Sequence, residues 1–66
     1  MADAPIPLPG VGSDAEAWAY FFTEWRKLGC RLSDAAEKAD TTRTWWREAG
    51  RPEPAAWFAW KFEVSA

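Results

Sequence analysis

Apolar residues at Trp18, Phe21, Phe22, Trp25 and Leu28 recur at the three- and four-residue spacing of one helical stripe. Glu16, Tyr20, Glu24 and Lys27 fall on the other side. Ser13 with Glu16 three residues later is a capping-box signature, and Asp14 and Glu16 suit the positive first turn of a helix. Gly29 suits the position just past a helix end, where Arg26 and Lys27 meet the negative terminus. The spacing predicts a first helix over about 14–28.

Ser33 is a good N-cap for a second helix, with Leu32, Ala35, Ala36 and Ala39 on one face and Asp34, Glu37 and Lys38 pointing outward. Asp40 is expected to break that helix and cap a third, running from Thr41 to Ala49 and stopped by Gly50 and Pro52. In the third, Thr42, Trp45, Trp46 and Ala49 share a broad face opposite Thr44, Arg47 and Arg43. Adjacent Trp45 and Trp46 lie about 100° apart and cannot point the same way. A fourth helix starts near Pro54, a natural first-turn proline. It puts Ala55, Phe58, Ala59 and Phe62 on one side and Trp57, Trp60 and Val64 nearly opposite. A small domain rarely buries two opposed faces of one helix, so the second face is expected to meet either the N-terminal segment or a partner. Residues 1–12 carry Pro5, Pro7 and Pro9 at alternate positions, which disfavours helix and central strand and predicts an extended arm. The expected architecture is all-α: an arm over 1–12, then one compact domain of four short helices over 13–66.

Composition narrows what such a domain can do. In 66 residues there are 6 Trp, 4 Phe and 1 Tyr, enough large rings to build a core in a chain too short for an ample one. The absence of His removes imidazole catalysis and His metal ligands. Cys30 is alone, so neither an internal disulfide nor a cysteine zinc site can form, and a reduced, cytoplasmic setting is expected. The longest apolar run, residues 17–22, is far short of the roughly 20 residues that span a bilayer. No Lys or Arg precedes Arg26, so no secretory signal is expected. Neither an enzyme nor a cofactor is expected.

Local charge adds a candidate site. Residues 1–40 hold four basic and seven acidic side chains, a sum of −3, whereas residues 41–66 hold four and three, a sum of +1. Arg43, Arg47 and Arg51 face only Glu48 within 41–51. The order of an alanine-rich helix, a break at Asp40, a helix opened by Thr41-Thr42-Arg43-Thr44 and a Trp46, Gly50, Pro52, Pro54 closing segment resembles the helix-turn-helix unit of lambda-repressor/Cro-like proteins, found in small phage and prophage regulators. The resemblance covers about residues 21–62. Asp40 stands where that family usually has Gly, and Trp46 where it has a smaller Val or Ile. The resemblance implies a transcriptional regulator that places its third helix in the major groove of double-stranded DNA. Thr41, Thr42, Arg43 and Thr44 would then read bases, with Arg47 and Arg51 on phosphate.

A second reading belongs to another class. The excess of aromatics is similar to that of small, acidic, tryptophan-rich phage proteins that inhibit a host complex, anti-CRISPR proteins among them. Trp57, Trp60, Val64 and Tyr20, rimmed by Glu16, Glu24 and Glu63, would form that aromatic and acidic interface, suited to a protein partner that includes a basic nucleic-acid channel, since Trp, Tyr and Arg dominate binding hot spots. The same face would serve a homodimer, which is compatible with DNA binding. The side chains exposed on the third helix separate the two readings. An outward ridge of Arg43, Thr44 and Arg47 favours DNA, and an open Trp45 or Trp46 favours a protein.

Overall fold

In the computed structural model, which describes residues 14–64, the chain forms three helices: α1 over Asp14–Lys27, α2 over Leu32–Glu48 and α3 over Pro54–Phe62. The arm expected over 1–12 and the cap expected at Ser13 lie outside the described residues. Gly29 has a φ of 103°, and the Cys30 amide returns to the Trp25 carbonyl at 3.1 Å, closing α1 in the left-handed way a glycine permits. Glu53 caps α3 by accepting the amides of Ala55 and Ala56, and Pro54 takes the first turn as expected.

Four helices were expected and three are present among the described residues. The second and third predicted helices are one, because α2 runs through Asp40 without a turn. Its buried stripe of Ala35, Ala39, Thr42 and Trp46 keeps helical spacing across the expected break. The Asp40 side chain does not turn back to cap a new helix. It accepts the indole N–H of Trp18 at 2.7 Å, tying α2 to α1. A tertiary contact thereby overrides the local preference of Asp for a helix start.

Phe21 lies at the centre, fully buried, with the rings of Phe58, Trp57 and Trp46 at 5.8, 5.5 and 6.1 Å. Ala17 and Ala39 complete the buried cluster, and their small side chains let α1 and α2 approach closely. The Trp46 indole N–H donates to the Pro52 carbonyl at 2.7 Å, which pins the α2–α3 connection onto the core. That connection reverses through Gly50 and Arg51, at φ 93° and 56°. Both α2 and α3 pack on α1 but hardly on each other, so large side chains, not backbones, bridge the space between them.

Candidate interaction site

At 100° per residue, α2 has two unlike flanks on either side of its buried stripe. One carries Ala36, Asp40, Arg43 and Arg47 and turns toward α1. The other carries Lys38, Thr41 and Trp45 and turns toward α3.

The arginine flank is paired with carboxylates of the same chain. Arg47 Nε donates to Asp14 Oδ2 at 2.6 Å. Arg51 Nη1 reaches Asp14 Oδ1 at 3.0 Å, an ion pair without hydrogen-bond alignment. Arg43 sits 3.9 Å from Asp40, whose carboxylate also holds Trp18. Asp14 therefore joins the start of α1 to the end of α2. Arg43, Thr44 and Arg47 do not stand as a ridge of free side chains: Arg47 is paired with Asp14 of α1, Arg43 with Asp40 of its own helix, and exposed Thr44 donates to the Asp40 carbonyl. Thr42 is 1% exposed, so it does not stand outward as a base-reading hydroxyl. It accepts the Trp25 indole N–H at 3.0 Å and donates to the Lys38 carbonyl at 2.6 Å.

The other flank is open. Trp45 is 43% exposed and leans on Phe62 with ring centroids 6.2 Å apart. A groove of about 310 Å³ runs between α2 and α3, with Trp25, Thr42 and Phe62 as its floor and Thr41, Trp45, Lys38 and Glu37 along its sides. Its origin is the weak packing of α2 on α3. The Lys38 ammonium lies 5.1 Å from the Trp25 ring centroid, and the Lys61 ammonium 5.5 Å from that of Trp45. Ammonium ions over indole faces are attracted by the ring quadrupole.

The residues expected to form one aromatic interface separate in the fold. Trp57 is 1% exposed and belongs to the core, because α3 buries a wide arc from Trp57 through Phe58 to Phe62. Trp60 is 42% exposed and remains on the outer side of α3. Val64 and Tyr20 are partly buried and line a smaller cleft of about 200 Å³ between α1 and α3, with Glu24 and Phe58. Burial raises the Tyr20 hydroxyl above its ordinary pKa, and the nearby Glu24 and Glu53 carboxylates add to the rise.

Trp25, Lys38, Phe62 and Lys61 were not singled out by sequence as site residues. Lys38 and Trp45 share a flank at i, i+7 spacing once α2 is continuous, but the contribution of α3 depends on tertiary packing. Among the described residues no helix is long and apolar enough to cross a membrane. Comparison with family models, curated proteins and solved structures found no match to the chain.

Proposed function

We propose that the protein acts by binding another protein through the Trp45 flank of α2, the inhibitor-like reading of its sequence. One observation carries this. On α2 the Trp45 indole is open to solvent, while Arg43 and Arg47 of the same helix and Arg51 just beyond it are paired with Asp40 and Asp14. An exposed indole beside a groove supplies a large apolar contact with little conformational entropy to lose, as binding hot spots do. Trp60 adds a second exposed indole on α3.

Arg47 and Arg51 support DNA binding as a second reading, since their side chains remain 40% and 56% exposed at the end of α2. Asp14 offsets half of their charge, and the turn that would present a separate recognition helix is replaced by continuous helix.

The test compares two probes with the same purified protein: a short mixed-sequence DNA duplex at about 50 mM salt, where phosphate contacts are strong, and a displayed library of random peptides. The expected result is no duplex binding, and selected peptides whose capture is lost in Trp45→Ser but kept in Leu32→Ser. Duplex binding that survives Trp45→Ser and is lost in Arg47→Ala would replace this reading with the DNA one.

A further inference from the structure

We infer that the groove between α2 and α3 selects an acidic segment bearing one large apolar side chain, and that Lys38 and Lys61 set this selectivity. The inference rests on the groove being a protein-docking site.

The size of the groove decides the apolar part. About 310 Å³ is at the lower end of the range for small-ligand pockets, room for one large side chain and too little for a helix laid lengthwise. Its floor is aromatic, and the Trp25 indole N–H is already used by Thr42, so an entering ring meets faces and edges with no orphaned donor.

Charge decides the rest. Lys27, Arg43, Arg47 and Arg51 are each engaged by a carboxylate of the chain. Lys38 and Lys61 enter no ion pair among the described residues, and each is held instead over an indole bordering the groove. Lys38 and Glu37 both line the groove, and Lys61, on α3, stands beside that lining over the Trp45 ring. In a protein of net charge −2, two ammonium groups thus stand at or beside a groove that one carboxylate lines. A basic segment entering there would set like charges together, while carboxylates on either side of a seated ring would meet both lysines.

The test follows the six indole N–H signals of the 15N-labelled protein by NMR during titration with three capped pentapeptides: Gly-Glu-Trp-Glu-Gly, Gly-Gln-Trp-Gln-Gly and Gly-Lys-Trp-Lys-Gly. The glutamate peptide should move the Trp25 and Trp45 signals and, near 50 mM salt, bind about tenfold more tightly than the glutamine peptide, the scale of two solvent-exposed ion pairs. The lysine peptide should bind more weakly than either. In the Lys38→Gln/Lys61→Gln double variant the three should converge. Equal binding of all three to the unaltered protein would overturn the selectivity and leave the docking site standing. Failure of every peptide to move Trp25 and Trp45 would overturn both.

Discussion

Asp14, the first residue of α1, and Arg47, in the last turn of α2, meet at 2.6 Å across 33 positions of sequence. Arg51 joins them from the following turn. The buried stripe of Ala35, Ala39, Thr42 and Trp46 fixes how α2 faces, and the contact forms where that places the arginine flank. Because α2 is one helix, the same stripe also places the opposite flank, on which Trp45 and Lys38 stand. The charge contact and the aromatic groove are thus two sides of one helix orientation.

Asp14→Asn should release both arginines at little cost. All three side chains are partly exposed, and such pairs contribute less than about 1 kcal/mol. Urea unfolding should show a small loss that shrinks further as salt is raised. A loss of several kcal/mol would mean that the contact is far less hydrated than its exposure indicates.

Asp40→Gly separates a continuous helix from a turn. Where Asp40 stands inside a helix and holds Trp18, glycine should destabilise the fold by about 1 kcal/mol, from backbone entropy plus one lost hydrogen bond. Were there a turn at this position, glycine would stabilise it. Thermal unfolding reads the sign.

Trp46→Phe keeps a ring in the core and removes one donor. The Pro52 carbonyl then loses its partner in a buried setting, and space opens beside Phe21, at a combined cost of about 2–4 kcal/mol. Denaturant unfolding measures it, and a change under 1 kcal/mol would show that water reaches the carbonyl.

Tyr20 gives the fold a sensitivity at high pH. Its hydroxyl titrates above the ordinary value near 10 when folded, so the native state holds that proton more tightly than the unfolded chain. The contribution is complete below pH 10 and is lost as pH rises beyond it. Ultraviolet phenolate absorbance should place the folded midpoint above that of the urea-unfolded protein, and Glu24→Gln should lower it.

Much of the scaffold was legible in the sequence. The stripe ending at Gly29 marks α1, Pro54 marks the start of α3, and the ring-rich composition foretells a core around Phe21. What was hidden came from tertiary contact. Asp40 reads locally as a cap, and only Trp18, 22 residues earlier, turns it into a helix-internal anchor. The continuing stripe from Ala35 through Trp46 was the available signal for one helix. Trp57 and Trp60 lie on one side of a helical wheel, yet the buried arc of α3 is wide enough to take Trp57 and leave Trp60 outside. The groove was least legible of all, since Lys61 and Phe62 reach Trp45 from another helix.

The division of α2 into a tied arginine flank and an open tryptophan flank requires an unbroken helix across Asp40. Carbon-13 chemical shifts of the α-carbons from Ala36 to Thr44, recorded together with proton contacts between Arg47 and Asp14, decide the point. Helical shifts at every position with the Arg47–Asp14 contact present are expected. Non-helical shifts at Asp40 and Thr41, with the Arg47 side chain unpaired, would contradict it and restore a separate third helix with free arginines, as the DNA reading requires.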